Sequence, residues 1–399
     1  MSSQATASPS PSPGLRLLVT EDAPSYGVLA GMRALRAAGY EPWLAAVGRD
    51  GYSRRSRARA GLVEVPDPAL DPGRYVAALA RAAEKLRVAA VLPGTEVGMV
   101  ALAGAAGAFP AGVALGAPER DTVARATDKL ELARLAADAG LATPPTVQTT
   151  LAEAQSAAAA VDLPAIVKAP RTSTPTDAGG LAAAHVMRVT TPEQLLEAVR
   201  SLPGDVALIQ PALEGELVAA SGVAWRGEVV AIAHQVARRI FPPGCGISAF
   251  AETVPGDPAL EAGVRRLIGG LGWSGIFQAQ FVASGGTSYL IDLNPRIYGS
   301  LALAVAAGLN LPAIWADLLL ERSPRIGAYR TGVRFRSEER DLAALGAATL
   351  AGDWRTALRV LRPRRHTTHA VASLRDPLPL LATGRRLGRA RRALESARG

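Results

Sequence analysis

Short apolar runs alternate with amphipathic stretches along the first third of the chain. A helical pattern over residues 25–38, closed by Gly39, lies between the first two runs. Asp71 and Pro72 are typical of a helix N-cap and first helical residue. Strands that alternate with helices at this spacing predict a parallel, doubly wound sheet. The five runs lie at residues 15–20, 43–47, 62–65, 88–92 and 112–115.

The pattern changes after residue 118, where a helix over 119–139 precedes an α+β region. Thr150 with Glu153, and Thr191 with Gln194, resemble capping boxes at two helix starts. A hairpin, 276–283 with 288–293, follows a helix that begins at Asp257 and Pro258. The other predicted strands lie at residues 165–169, 185–189, 206–210, 217–225 and 228–236.

These elements predict a fold of mixed α/β and α+β class with several domains. We expect a disordered tail at 1–14 and an N-terminal domain at 15–118. A small lid domain follows at 119–207, then a larger domain at 208–332. Residues 333–399 are predicted to form a basic helical segment.

Composition excludes several classes of protein. The chain has 399 residues, 49% hydrophobic and 20% charged, as expected for a soluble, core-forming protein. One cysteine excludes a disulfide framework and a multi-cysteine zinc site, and favours a cytoplasmic location. Residues 1–14 lack the apolar core of a signal peptide. The uncharged stretches 97–118 and 297–316 are broken by proline or asparagine, so no membrane span is expected.

The basic charge is concentrated at the end of the chain. Residues 333–399 contain 15 arginines against 6 acidic residues, a net charge equal to the +9 of the whole chain. Without interleaved aromatic residues, this segment does not favour nucleic acid, although an acidic partner is left open. Among 44 basic residues only Lys85, Lys129 and Lys168 are lysines.

The most informative residues lie in the predicted hairpin. Asp292 and Asn294 are two apart on a strand and therefore share a face. A three-residue loop at 285–287 with a G1 bulge would place Gln280 opposite Asp292 on that face. Oxygen ligands without histidine or cysteine suit Mg²⁺ rather than zinc. Arg296 adds a planar fork for a phosphate or carboxylate.

This set resembles the ATP-grasp superfamily, most closely its carboxylate–amine or carboxylate–thiol ligases and the synthetase domains of carbamoyl phosphate synthetase. The resemblance spans about residues 15–332. It implies an ATP-grasp fold behind a pre-ATP-grasp domain. It also implies ATP and two Mg²⁺ ions as cofactors, with Mn²⁺ as an alternative.

The resemblance assigns nucleotide contacts to several motifs. Lys129 in ATDKLELARLAADAGLATPP and Lys168 in AIVKAP match the two nucleotide lysines. LIQPALEGE matches the adenine hinge, with Gln210 at its start, Leu213 within it, and Glu216 as the ribose ligand. RTSTPTDAGG, residues 171–180, is similar to the flexible flap over the triphosphate.

The metal and acyl-substrate residues follow from the same resemblance. Asp292, Asn294 and Gln280 match the metal ligands, although the family usually has Glu where this chain has Asp292. ARRIFPPGCGIS resembles a loop near the acyl substrate. It implicates Arg238 or Arg239, adjacent residues expected to face opposite ways. Arg296 would stabilise the transferring phosphoryl group. For the base, Glu252 and His234 are both left open.

The resemblance implies an ATP-dependent ligase that joins a small carboxylic acid, with an amino acid as the expected acid, to an amine. Its substrates would be a small-molecule carboxylate and an amine, and a homo-oligomer is left open. A bicarbonate-dependent carboxylase or a carbamoyl-phosphate-type enzyme is the nearest alternative. A nucleotide-binding scaffold or regulatory protein with a decayed site is another, because Gln280 is neutral and the site has one carboxylate.

Overall fold

The computed structural model describes residues 14–175, 180–183, 185–362 and 364–383. Its N-terminal part is a five-stranded sheet in the order β3-β2-β1-β4-β5, and every strand pair is parallel. The predicted alternation of strands and helices is confirmed. These elements are β1 (Arg16–Glu21), α1 (Tyr26–Ala37), β2 (Glu41–Ala46), β3 (Gly61–Glu64), α2 (Pro72–Leu86), β4 (Ala90–Leu92), α3 (Glu96–Leu102) and β5 (Ala114–Leu115).

The strand order of this sheet reverses between β1 and β4. Loops at the carboxyl ends of two strands on either side of such a reversal diverge, and they leave a crevice in which ligands bind. Here the crevice is bordered by Glu21, the last residue of β1, with Asp22, and by Thr95 and Glu96 after β4.

The helix predicted over 119–139 is two helices, α4 (Arg120–Thr127) and α5 (Lys129–Asp138). The break falls at Asp128, whose backbone is extended with φ −95° and ψ 116°. Its carboxylate accepts hydrogen bonds from the backbone N–H groups of Leu130 and Glu131 and so caps α5. The break places Lys129 at the first position of the second helix.

The lid is an antiparallel sheet in the order β10-β7-β11-β6, with two helices packed on it. Thr191 caps the second helix as predicted, whereas the Glu153 carboxylate accepts from Thr150 in a turn before the first. Strand β8 falls in the predicted flap and pairs with β9, which directly follows the flap; residues 176–179 of the flap lie outside the described residues. The elements are β6 (Val147–Thr150), α6 (Ala154–Ala160), β7 (Ala165–Lys168), β8 (Ser173–Pro175), β9 (Leu181–Ala183), β10 (Met187–Val189), α7 (Pro192–Ser201) and β11 (Val206–Pro211).

A larger sheet in the order β16-β15-β12-β13-β14-β17-β18 forms the body of the protein. Among the described residues beyond 332, the predicted helical segment contains α11 and α12, and it also adds two short strands to this sheet. The predicted tails at 1–14 and toward residue 399 lie almost wholly outside the described residues. The elements are β12 (Glu216–Trp225), β13 (Glu228–Phe241), β14 (Ile247–Val254), α8 (Pro258–Leu271), β15 (Gly275–Ser284), β16 (Thr287–Asn294), α9 (Leu301–Ala306), α10 (Leu311–Leu319), β17 (Arg334–Arg336), α11 (Glu338–Leu350), α12 (Trp354–Leu361) and β18 (Thr367–His369).

The β15–β16 hairpin differs from prediction in its turn. Ser284 pairs with Thr287, so the loop is the two residues Gly285 and Gly286, with φ of +57° and +82°. Two positive φ angles in a two-residue loop are typical of a type I′ turn, which glycine accommodates without strain. The predicted three-residue loop with its bulge is therefore wrong.

The predicted pairing of Gln280 with Asp292 is nevertheless confirmed. The pairing shifts by one residue between Phe281 and Gln280, which leaves Ile291 as an extra residue on β16. This bulge, in place of one at the turn, brings Asp292 opposite Gln280.

The N-terminal sheet is held close to the end of this hairpin. A Cβ atom on Gly27 of α1 would lie 2.3 Å from the carbonyl oxygen of Tyr298, so only glycine permits this contact. One buried core continues from Leu17 of β1 to Trp315 of α10 and Ile276 of β15. In the part of the chain described, no helix is long and apolar enough to cross a membrane.

Candidate active site

Two cavities meet at the end of the β15–β16 hairpin. The first, which we call the lid cavity, has about 470 Å³ and lies between the lid sheet and the large sheet. The second, the inner cavity, has about 580 Å³ and lies beside α1 and α11. Gln280 and Asp292 line both cavities, whereas Asn294 and Arg296 line the inner cavity. These four side chains lie at the boundary between the two cavities, and we call them the shared edge.

Hydrogen bonds order the shared edge. Arg296 donates from Nη2 to the Asn294 Oδ1 atom at 2.9 Å, and Asn294 donates from Nδ2 to the Gln280 Oε1 atom at 3.2 Å. Asp292 instead faces Lys129, whose Nζ lies 3.8 Å from its Oδ1 atom. The arrangement collects three oxygen-bearing side chains and a guanidinium group at one end of the hairpin.

The two predicted lysines reach the lid cavity from different elements. Lys129 begins α5, and its Nζ donates to Thr172 Oγ1 at 3.1 Å. Lys168 ends β7, is buried, and donates from Nζ to the carbonyl oxygen of Ile291 at 3.0 Å. Burial lowers the pKa of Lys168 to about 8, although Asp292 opposes this shift. Both lysines line the lid cavity next to Asp292.

The far end of the lid cavity is formed by the strand and loop that follow the lid. Gln210 and Leu213, the residues of the predicted hinge motif, line it. Gln210 is buried and donates from Nε2 to Thr146 Oγ1 at 2.8 Å. Its amide therefore helps to hold β11 against the chain that enters the lid.

Residues 205–340 match a family described as ATP-grasp in the biosynthetic pathway with Ter operon. L-amino acid ligase from Bacillus licheniformis has a similar structure, with TM-score 0.59 and 17% identity, over 77% of this chain and 75% of that one. The chain has the ATP-grasp fold. The predicted resemblance to that superfamily is therefore confirmed.

Two further solved structures are similar over most of their length. N5-carboxyaminoimidazole ribonucleotide synthetase from Thermus thermophilus has TM-score 0.58 and 21% identity, over 80% of this chain and 81% of that one. The biotin carboxylase domain of Hydrogenobacter thermophilus 2-oxoglutarate carboxylase has TM-score 0.59 and 15% identity, over 80% of this chain and 73% of that one. At these identities the likeness establishes the ATP-grasp fold alone. No curated protein matches the chain in sequence.

Glu216 lies outside the lid cavity of this ATP-grasp fold. It starts β12, is exposed, and accepts a hydrogen bond from Arg238 Nη1 at 3.0 Å. Glu214, two residues earlier, lines the cavity instead. The residue between them must be glycine, because a Cβ atom on Gly215 would lie 2.0 Å from the carbonyl oxygen of Ala283. In ALEGE both glutamates flank that glycine, so the motif alone does not tell them apart.

Arg238 and Arg239 lie away from the shared edge and line a third cleft together. The expectation that they face opposite ways is wrong, because the pairing of β13 with β14 shifts on both sides of Arg239. Arg239 donates to the buried carboxylate of Asp341 at 2.6 Å, and Arg238 pairs with Glu216 and Glu252. The geometry gives neither arginine a contact with the two cavities.

The two candidate bases are also engaged elsewhere. Glu252 pairs with Arg238 and Arg334 at the third cleft. His234 is buried, and its Nε2 atom lies 3.2 Å from a carboxylate oxygen of Glu261. Neither residue lines the lid cavity or the inner cavity.

Sequence reasoning missed two carboxylates at the crevice of the N-terminal sheet. Glu96 is buried, and one of its oxygens lies 3.7 Å from Arg296 Nε. Burial raises the pKa of Glu96, and Arg296 opposes that shift. Burial also raises the pKa of Asp22, which accepts a hydrogen bond from the Thr95 hydroxyl. The predicted doubly wound sheet was the available signal, since such a sheet binds ligands where its strand order reverses, and both residues follow strands at that point.

The inner cavity is lined by aromatic and polar groups. The rings of Tyr26 and Tyr52 lie 5.0 Å apart, and both hydroxyls donate to the carboxylate of Glu339 at 2.7 Å. Arg340 lines the same space. The inner cavity can thus offer both signs of charge and an apolar wall to one ligand.

Proposed function

We propose that the chain is an ATP-dependent ligase that activates a small carboxylic acid as an acyl phosphate and joins it to an amine. The observation that carries this proposal is that Gln280 and Asp292 line both cavities. A phosphoryl donor in the lid cavity and an acceptor in the inner cavity would meet at that edge. Such positioning supplies much of the catalysis of phosphoryl transfer.

The lid cavity is proposed to hold ATP. Lys129 and Lys168 supply two positive charges at the end next to Asp292, where a triphosphate would lie. Leu213 and Val282 give the part of the lid cavity away from the lysines an apolar lining that suits a purine. The similar carboxylase domain from Hydrogenobacter was solved with MgADP and ADP. Because Glu214 lines this cavity and Glu216 does not, Glu214 is the residue proposed to contact the ribose.

Asp292, Asn294 and Gln280 are the residues proposed to hold Mg²⁺. Their side chains offer a carboxylate and two amide oxygens, a donor set that fits a hard divalent cation. Among the described residues no group of three His, Cys, Asp or Glu could hold a metal by itself. With one carboxylate present, affinity for the ion without nucleotide should be low. Bound with the nucleotide, Mg²⁺ would neutralise phosphate charge.

In the proposed first step an oxygen of the substrate carboxylate attacks the γ-phosphorus of ATP. The bond from that phosphorus to the bridging oxygen breaks, and ADP leaves. Lys129 and Lys168 stabilise the charge on the phosphates, while Arg296 orients the acid and stabilises the transferring group. Glu96, beside Arg296 Nε, holds that guanidinium in place.

In the second step the amine nitrogen attacks the acyl carbon and phosphate leaves, so that a C–N bond forms and the amine loses a proton. The reacting atoms again lie beside the shared edge, because the acyl phosphate would extend from the inner cavity across that edge toward the lid cavity. An amino acid is the proposed acid, since the inner cavity offers Arg296 and Arg340 for a carboxylate and Glu339 for an amino group.

A release assay tests this function. Purified protein with ATP and Mg²⁺ is given pairs of amino acids, and ADP, phosphate and amide are measured in parallel. We expect ADP release with at least one pair, and none with the Lys168→Ala or Asp292→Ala variants. Turnover that requires bicarbonate would support the carboxylase alternative. Nucleotide binding without ADP release from any pair would support a scaffold with a decayed site.

A further inference from the structure

The third cleft, of about 310 Å³, is lined by arginines from four parts of the large sheet and its C-terminal helices. We call it the arginine cleft. Phe250, Glu252 and Thr356 complete its lining. None of these residues lines the lid cavity or the inner cavity, so the proposed ligase chemistry does not use this cleft. The six arginines are Arg238, Arg239, Arg334, Arg336, Arg359 and Arg364.

Carboxylates neutralise only part of this charge. Glu252 pairs with Arg238 and Arg334, and Asp341 pairs with Arg239 and Arg336. Glu216 adds one more partner to Arg238, at the exposed rim. Six guanidinium groups thus face three carboxylates, a net charge of +3.

Two of the six arginines form no ion pair with a described carboxylate, although Arg359 interacts at longer range with the exposed Asp353. No carboxylate of the described residues lies within 4.0 Å of Arg359 or Arg364. Like charges held this close repel one another, and an anion that entered the cleft would relieve the repulsion.

Three of the guanidinium groups are held in place before any ligand arrives. Arg239 and Arg364 lie over the ring of Phe250, with centroid distances of 5.4 and 5.9 Å. Arg336 donates from Nη2 to the carbonyl oxygen of Val360 at 2.6 Å. A planar fork that is already ordered loses little entropy when it binds phosphate oxygens in pairs.

We propose that the arginine cleft binds a phosphorylated small molecule that carries at least two negative charges. The net charge calls for a polyanion, and the paired donors of arginine match phosphate oxygens. A volume of about 310 Å³ admits a small molecule and excludes a macromolecule from the interior of the cleft. This inference does not depend on the proposed ligase activity.

The cleft is also connected to the two cavities through β13. Arg239 lines the arginine cleft, the next residue Ile240 lines the lid cavity, and Phe241 lines the inner cavity. A ligand in the cleft therefore contacts the strand that borders both other spaces.

Calorimetric titration of the full chain with inorganic pyrophosphate, in metal-free buffer at low salt, tests the proposal. The test variant is Arg359→Gln with Arg364→Gln, both exposed residues that form no ion pair within 4.0 Å with a described carboxylate. The control variant is Arg355→Gln with Arg362→Gln, which removes the same charge from exposed positions of the same segment outside the cleft. Thermal unfolding confirms that all three proteins are folded.

We expect pyrophosphate to bind the wild-type protein and the control variant with affinities within about twofold of each other. Affinity should fall at least about tenfold in the test variant, and binding to the wild-type protein should weaken at high salt. Equal binding to all three proteins would place pyrophosphate elsewhere, such as the lid cavity, and would overturn the proposal. Absence of binding to the wild-type protein would overturn it as well.

Discussion

Lys168 Nζ donates a hydrogen bond to the carbonyl oxygen of Ile291 at 3.0 Å and so joins the lid sheet to the large sheet. Ile291 is the extra residue of the β16 bulge, which also brings Asp292 opposite Gln280. One backbone irregularity therefore positions a lysine of the lid and the carboxylate of the shared edge together. A nucleotide in the lid cavity would lie against both.

Nucleotide affinity should depend on pH through Lys168. Because burial lowers its pKa to about 8, the protonated fraction falls from about 0.9 at pH 7 to about 0.1 at pH 9. We expect ADP affinity to weaken about tenfold over that range, since only the charged lysine attracts the phosphates. Isothermal titration with MgADP at each pH measures this.

The Lys168→Arg variant is the matched control, because its guanidinium stays charged at every pH in the series. Its affinity should vary less than about twofold between pH 7 and pH 9. A parallel pH dependence in both proteins would show that another group is responsible.

Asp292 should be essential for turnover but not for folding. The Asp292→Asn variant keeps the shape of the side chain and removes the one carboxylate of the proposed metal site. We expect ADP release to fall at least about 10²-fold, while Asp292→Glu, the residue usual in the family, retains measurable activity. The exposed Asp138→Asn variant is a control, and a fully active Asp292→Asn protein would contradict the assignment.

Glu214 and Glu216 give a test of the ribose contact. Glu214 lines the lid cavity, whereas Glu216 pairs with Arg238 outside it. Loss of a hydrogen bond to a charged group predicts that Glu214→Ala weakens ADP binding about tenfold. Glu216→Ala should leave it within about twofold. The reverse ranking would restore Glu216 as the contact.

The N-cap of α5 should affect both stability and nucleotide binding. Asp128→Ala removes the acceptor for two backbone N–H groups and should cost about 1 kcal/mol of unfolding free energy. The variant should also weaken ADP binding, because loss of the cap loosens the first turn of α5, where Lys129 lies. Asp128→Asn keeps a capping oxygen but loses the charge that pairs with Arg171. Unfolding in urea should therefore rank the wild-type protein and Asp128→Asn above Asp128→Ala.

Glu21 predicts a pH dependence of stability. Burial raises the pKa of this carboxyl to about 7, so the folded state retains a proton that the unfolded state releases above about pH 4.5. Stability relative to the Glu21→Gln variant should fall as pH rises from about 4.5 to about 7, by up to about 3 kcal/mol. Urea unfolding at pH 5 and pH 8 measures it, and a constant difference between the proteins would contradict the account.

Much of the fold could be predicted from local pattern. Alternating apolar runs and helix caps such as Asp71 and Asp257 located most elements, because those signals act within a few residues. The break at Asp128 was missed, since the apolar pattern continues through both helices. Strands β17 and β18 were missed for another reason. They have three residues each and are stabilised by pairing with β14 and with each other.

The candidate site was predictable where spacing along one strand determines the geometry. Asp292 and Asn294 share a face because side chains on a strand alternate with a period of two residues. Lys129 and Lys168 stand out because the chain has only three lysines. The bulge at Ile291 and the shifts around Arg239 were not predictable, because they arise from pairing between distant strands. Glu96 and Asp22 border one crevice because the strand order reverses between β1 and β4.

The central claim is that a carboxylate and ATP react across the shared edge to form an acyl phosphate. An acid that supports turnover is labelled with ¹⁸O in its carboxylate, and the released phosphate is analysed by mass spectrometry. The account predicts one ¹⁸O atom in each released phosphate, and ADP as the nucleotide product. Unlabelled phosphate, or label in AMP, would contradict it.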